Sequence, residues 1–428
     1  MTLAFSSFVF LLGIGTPVVF AIGCTAIITL VFTTDVPIAL IAHQFFGGMD
    51  KFPIMAIPFF VLAGVIMEAG GLSQRVIDFS SALVGWITGS LLMVSVVAAT
   101  GLAAMSGSGS ADVAAISAIM QPELKKRKYD IDFSAALIST AGTLAQIIPP
   151  SIMMVLIAVV NDLSVGALFL AGVVPGLLTV PALLLIAYVH AKRGGEQYRE
   201  VQPFNLVHLG RTFLYAVPAL VMIFIIIGGI LGGVFTPTEA ACVAVFYGLF
   251  VGIFVYRDLK FSDLPAVAMR ATGFSCGILM LIAVGNIFSW LFAHADVPGA
   301  VAAWLSGVVD EPWEFLAVVN VFLMVLCMFM ETFPTILVLS PVLLPIAVSY
   351  GIDPIHFALV FIFNCAIGTV TPPMGGTMFV GAVVAERPIM NVARKLFWPW
   401  LAMVVVLILI TYVPEVGLFL PKISGFME

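Results

Sequence analysis

The chain has 428 residues, of which 17 are Lys or Arg and 23 are Asp or Glu, giving a formal net charge of −6; 62% are hydrophobic. Charged residues make up 9%, against about 25% in soluble globular proteins. That excludes a water-solvated fold, and a disordered chain too, since disorder needs the opposite composition. An all-α polytopic membrane protein is the class that remains. No basic run is interleaved with aromatics in the way nucleic-acid binding requires. The five cysteines (Cys24, Cys242, Cys276, Cys327, Cys365) lie singly in apolar segments without metal-ligand spacing, and read as small core residues.

In chain order, the apolar stretch 3–32 is too long for a signal-peptide core and is expected to be a retained first crossing. Segment 34–51 holds Asp35, His43, Gln44 and Asp50 between Pro37 and Pro53. It fits an interfacial helix or a long loop equally well. Further crossings are expected at 52–70, 133–160, 165–191, 212–232, 238–256, 271–293, 356–386 and 396–413. Regions 83–122 and 313–349 differ, because apolar arms surround a short polar tip. Their second arms, 111–121 and 335–348, are short; eleven residues span about 16 Å, roughly half the bilayer core. Each region is expected to be a re-entrant helical hairpin.

With the N-terminus inside and each hairpin returned to its own side, all basic residues except Lys51 and Lys422 fall on one face. That asymmetry is the positive-inside pattern, and it places the C-terminus outside. The six tryptophans fall near expected span ends, as interfacial anchors do. A shift of 223 residues superposes Ser117 on Ser340, Pro122 on Pro345, Asp130 on Asp353, and Pro149-Pro150 on Pro372-Pro373. A similar echo at a shift of 220 relates Thr16-Pro17 to Thr236-Pro237. The expected organisation is a first inverted repeat at 1–211, a linking helix at 212–232 and a second repeat at 233–428.

Chemistry concentrates at the hairpin tips and at two broken crossings. The first tip reads Ser106-Gly107-Ser108-Gly109-Ser110-Ala111-Asp112. Irregular backbone at membrane depth is tolerated where it lines a cavity or is buried in protein. Serine hydroxyls and exposed carbonyls offer neutral oxygens that suit Na+, and a helix N-terminus favours an anion. The alternative is local hairpin chemistry, with Ser110 as N-cap and Asp112 as its dipole partner. The second tip, Met330 to Thr335, contains Glu331. Asp112 and Glu331 are expected to be the two carboxylates deep in the membrane, functional by default, the alternative for Glu331 being capping or pairing within its hairpin. The crossings after the hairpins are broken at Gly142–Ser151 and Asn364–Thr377, where paired prolines free carbonyls a turn earlier. The histidines are scattered, and no P-loop, HExxH or GxSxG is present, so no enzyme signature appears.

These segments resemble the large membrane subunit of tripartite ATP-independent periplasmic (TRAP) transporters along essentially the whole chain. The most specific pieces are Met105 through Asp112, Gly142-Thr143 through Ile148-Pro149-Pro150-Ser151, Phe235-Thr236-Pro237-Thr238-Glu239-Ala240-Ala241, and Gly368-Thr369-Val370-Thr371-Pro372-Pro373. Ala145 departs from the family, which often has glycine there. The resemblance implies a Na+-driven importer of small organic acids with an elevator mechanism. The hairpins and broken helices would move against a scaffold of helices near 3–32, 165–232 and 238–256. It also implies a bacterial inner membrane, a separate four-helix membrane subunit, there being no room for it before Leu3, and a periplasmic substrate-binding protein. Two or more Na+ ions are expected. One would lie among Ser106, Ser108, Ala145, Ile148 and Pro150, the other among Thr332, Gly368, Thr371 and Met374. Ser108, Asp112 and Thr335 would meet the substrate, with sialic acid the first guess and a C4-dicarboxylate the second. A gated organic-anion channel is the alternative from another class.

Overall fold

The computed structural model describes residues 2–33, 37, 39–199, 203–305, 307 and 309–427. Among the described residues the chain is helical throughout, without a strand. The stretch 3–32 is not one crossing. It forms two helices, Thr2–Gly13 and Val18–Thr33, packed against each other. The cause is local. Gly15 adopts φ +84°, its N–H bonds the Leu12 carbonyl, and the Thr16 N–H bonds the Leu11 carbonyl. This is the double closure of a Schellman turn, and Pro17 cannot extend the ladder. Gly233, at φ +65°, ends Leu206–Leu231 in the same way, with the Gly233 and Val234 N–H groups on the Ile230 and Gly229 carbonyls. The echo between Thr16-Pro17 and Thr236-Pro237 therefore marks a turn. No Lys or Arg precedes Lys51, so the sorting of basic residues is unchanged, whereas the inside placement of the N-terminus loses its basis.

Within segment 34–51 the chain forms a helix, Ala39–Met49, packed on the long helix Leu264–His294. Asn286 Nδ2 donates to the Gln44 carbonyl at 2.8 Å and to its Oε1 at 3.1 Å. Asp35 lies outside the described residues.

Six helices among the described residues are long and apolar enough to cross a bilayer. Five of them, Phe52–Ala69, Val165–Arg193, Leu206–Leu231, Pro237–Val255 and Phe261–His294, answer to the expected crossings at those places. A seventh arises if Ile389–Lys395 and Phe397–Tyr412, bent by 52°, are taken together. Helix starts follow sequence chemistry. Pro237, Pro312, Pro354 and Pro414 open helices, where a missing N–H costs nothing. Thr236 and Glu239 form a reciprocal capping box, so Phe235 to Ala241 is a helix-start motif.

The 223-residue repeat is visible in the backbone. Gly109–Lys126 maps end for end onto Thr332–Ser349, and Ile152–Val160 maps within one residue of Gly376–Val384. Asp130 caps Ile131–Gly142 by accepting the Phe133 N–H, and Asp353 caps Pro354–Gly368 by accepting those of Ile355 and His356. Both Pro149–Pro150 and Pro372–Pro373 bonds are cis. The second hairpin arms are 18 residues each, about 27 Å, longer than the half-bilayer arms expected. The first tip ends against the middle of a broken helix, whereas Thr332–Ser349 in the second hairpin is the sixth helix long and apolar enough to cross a bilayer.

At one end of the bundle three ion pairs tie the first hairpin and first broken helix to the segment after the second broken helix. They are Lys125–Glu386 at 2.7 Å, Arg387–Asp132 at 2.5 Å and Lys395–Asp130 at 2.9 Å. At the opposite end Lys51 Nζ reaches the Val159 carbonyl at 3.2 Å and Asp162 at 3.0 Å, a cation at a helix C-terminus. The apolar core runs through both broken helices, where Leu144, Ile157, Phe357, Phe361 and Phe363 are fully or almost fully buried.

Candidate functional site

The first tip begins where Ser90–Ser106 stops at Gly107, whose φ of +62° is a left-handed cap. Ser108, with extended backbone, is the N-cap of Gly109–Lys126. Ser110 therefore sits inside the first helical turn and is not the cap. The Ser108 N–H donates to Ser106 Oγ at 3.1 Å. The glycines serve close approach: a Cβ on Gly107 would lie 3.1 Å from the Pro150 carbonyl oxygen, and one on Gly109 2.9 Å from that of Gly142. Ser-Gly-Ser-Gly spacing thus lets the tip dock against the first break through Gly107 and Gly109.

Beside this tip lies a cavity of about 660 Å³ lined by Ser106, Ser108, Ser110 and Asp112, together with Glu68 and Arg270 from neighbouring helices. Its size suits a small-molecule ligand. Asp112 is 3% exposed, and its Oδ2 has no hydrogen-bond partner among the described groups, which a buried carboxylate oxygen ordinarily has. Arg270 Nη2 lies 3.1 Å and 3.3 Å from the two Glu68 carboxylate oxygens.

The second tip is arranged otherwise. Glu331 is exposed, so of the two carboxylates expected deep in the membrane only Asp112 is buried. Glu331 stands at the N-cap of its helix without a side-chain capping bond, and a Cβ built on Gly376 would lie 3.8 Å from its Oε1. Thr335, expected at the substrate, is fully buried, donates to the Glu331 carbonyl at 2.9 Å and does not line the cavity. Thr332 is also buried, and its hydroxyl donates to Gln146 Oε1 at 3.0 Å. Gln146 Nε2 in turn donates to Thr369 Oγ1 at 3.2 Å. By hydrogen bonds among the described residues, Thr332 thus reaches the break of the first repeat directly and that of the second through Gln146.

At the first break Ala145 is fully buried, Ile148 nearly so, and Pro150 is buried. Two carbonyls there are already used. That of Leu144 accepts the Ile147 and Ile148 N–H groups, and that of Gln146 accepts the Ser151 hydroxyl. At the second break the Gly368 carbonyl accepts the Thr371 N–H at 3.0 Å. The Thr371 hydroxyl donates to the Ile367 carbonyl at 2.6 Å and receives the Trp400 indole N–H at 3.1 Å. It therefore faces Trp400 and not the second tip. Met374, with an exposed side chain, bonds the Met328 carbonyl through its N–H at 3.1 Å.

Sequence reasoning missed four residues: Gln146, Thr369, Glu68 and Arg270. For the first two a signal existed. Gln146 and Thr369 are separated by the repeat shift of 223, and a residue touching its own repeat mate must lie close to the axis relating the repeats. Glu68 and Arg270 are 202 positions apart and carry no motif.

The family model for the tripartite ATP-independent periplasmic transporter, DctM component, matches residues 5–416. The chain is 37% identical to the C4-dicarboxylate TRAP transporter large permease protein DctM of Rhodobacter capsulatus over 426 residues, covering 96% of each. It is 39% identical to the isethionate TRAP transporter permease protein DctMQ of Oleidesulfovibrio alaskensis over 97% of this chain and 65% of that protein. Among solved structures, the Alcanivorax borkumensis transporter YdaH matches with a TM-score of 0.61 at 14% identity, covering 88% of this chain and 87% of that one. At that identity the likeness speaks to the fold alone.

Proposed function

The chain belongs to the DctM component family of tripartite ATP-independent periplasmic transporters, and from that premise we propose that it is a Na+-coupled secondary importer of small organic acids. The observation that carries the proposal is the cavity at the first tip, where three serines and the incompletely bonded Asp112 converge. Hydroxyls bind the polar groups of an acid, and Asp112 accepts from its hydroxyls, since like charges keep a carboxylate away from it. One Na+ is placed between the Ser106–Ser108 tip and the Ala145–Pro150 break, where Gly107 brings the Pro150 carbonyl close. A second belongs between Thr332 and the Gly368–Met374 break, held by backbone carbonyls, with the Thr371 side chain turned away.

The mechanism is an elevator. The hairpins and broken helices, tied by ion pairs at one end, move as a unit against the remaining helices. That end carries most of the basic residues and is taken as cytoplasmic. The cavity is lined by Ser73, Met269 and Arg270 from helix starts toward this side, which supports an inward-facing conformation. A separate small membrane subunit and a periplasmic binding protein complete the system in a bacterial inner membrane. The substrate is a small organic anion, sialic acid or a C4-dicarboxylate. The two named relatives are a C4-dicarboxylate and an isethionate transporter, and both compounds are small anions.

The test is uptake into proteoliposomes holding this chain and its small partner, with binding proteins loaded with sialic acid, C4-dicarboxylates or isethionate. Accumulation against a gradient, dependent on external Na+ and on the binding protein, is expected. Equilibration indifferent to both would mean a channel.

A further inference from the structure

An anion in this cavity meets two carboxylates, Asp112 and Glu68, and among the residues lining it Arg270 is the one basic side chain. The serine tip supplies hydroxyls but no positive charge. Arg270 comes from Leu264–His294, outside the hairpins and broken helices. Its pairing with Glu68 runs through a single nitrogen, Nη2, although a guanidinium presents a fork suited to bidentate binding of a carboxylate. The pair is not needed to hold its helices. Those helices already pack along their faces, and with side chains 62% and 38% exposed such a pair contributes little to stability. An exposed arginine held loosely by one acid at the mouth of a cavity is an exchangeable partner.

We propose that Arg270 is the cytoplasmic-side receptor for the substrate carboxylate and that Glu68 is its built-in competitor. The carboxylate of an organic acid replaces Glu68 on the guanidinium while the acid occupies the cavity, and Glu68 retakes Arg270 when the acid leaves. The displacement lowers the cost of release, because the arginine is never left unpaired. This deepens the transporter reading and rests on its anionic substrate.

The experiment measures, in the reconstituted two-subunit complex, half-saturation from the inner face for succinate, N-acetylneuraminate and isethionate, whose sulfonate stands in for a carboxylate, alongside equilibrium binding of the same labelled acids to purified complex. Arg270→Gln is expected to weaken inner-face half-saturation and binding about tenfold, with partial rescue by Arg270→Lys, which keeps the charge and loses the fork. Glu68→Gln is expected to strengthen both about threefold, because the competitor is gone. A merely structural ion pair would make the two neutral variants move in the same direction, and that result overturns the proposal. So does binding in Arg270→Gln within twofold of the unaltered complex, or the absence of binding of all three acids. If binding responds as expected while no accumulation occurs, the receptor stands and the coupled-transport reading fails.

Discussion

The two hairpins share a backbone and differ in nearly every contact. Gly109–Lys126 and Thr332–Ser349 coincide under the 223-residue shift, so Asp112 is the counterpart of Thr335 and Ser108 that of Glu331. At the first tip the deep position holds a carboxylate with an unpaired oxygen beside a cavity. At the second it holds a hydroxyl satisfied by its own helix, away from that cavity. The outer position is reversed, with serine lining the cavity at one tip and an exposed glutamate at the other. Duplication fixed the scaffold and left the chemistry free to diverge, so an equivalent position does not imply an equivalent role.

The largest expected effect comes from the deep positions. Asp112→Ala should reduce uptake roughly 30- to 100-fold, the scale of losing hydrogen bonds to a charged group, whereas Thr335→Val loses one neutral bond and should cost about fivefold. Equal losses in the proteoliposome assay would break the comparison. Next is the axis residue. Gln146→Leu leaves the Thr332 and Thr369 hydroxyls without their shared partner and should destabilise the protein by about 2–3 kcal/mol, read as a lowered thermal midpoint in detergent. Thr369→Val, which removes one end of the chain of bonds, should cost about half as much.

The tips themselves give a smaller contrast. Gly107→Ala meets both a left-handed backbone and the Pro150 carbonyl, and should cost roughly 1–3 kcal/mol. Met330→Ala, at the equivalent place in the second tip, truncates a half-buried side chain without special backbone geometry and should cost about 1 kcal/mol. Thermal midpoints of the two variants side by side decide it.

The smallest effect concerns the capping pair Asp130 and Asp353, of which Asp130 also carries Lys395. Burial pushes the Asp130 carboxyl up. The Lys395 hydrogen bond and charge, together with the Phe133 N–H, outweigh that and hold it below the ordinary carboxylate range. Its contribution is therefore complete above the ordinary Asp range and is lost as pH falls through the depressed value. Asp130→Asn should flatten the acid side of the stability–pH curve, by less than about 1 kcal/mol for so exposed a pair. An unchanged acid limb would remove the ion pair from the comparison.

The sequence by itself determined the membrane class, the hairpins, the two broken helices and the repeat register. Each of these depends on properties local to the chain: runs of apolar residues, Gly-Ser alternation, and Pro-Pro pairs that take backbone donors out of a helix. The turn after Gly13 was legible in Gly15-Thr16-Pro17 too, but an uninterrupted apolar run masked it, because hydropathy averages over residues whereas a Schellman turn needs one glycine. Tertiary structure alone decided which polar groups meet. It joined Gln146 to Thr332 and Thr369 across the repeats, turned Thr371 toward Trp400, exposed Glu331, and set Arg270 and Glu68 beside Asp112. Hydrogen bonds and ion pairs act over a few ångströms between groups that lie tens to hundreds of residues apart in the chain, and only the packing of helices brings those groups within reach.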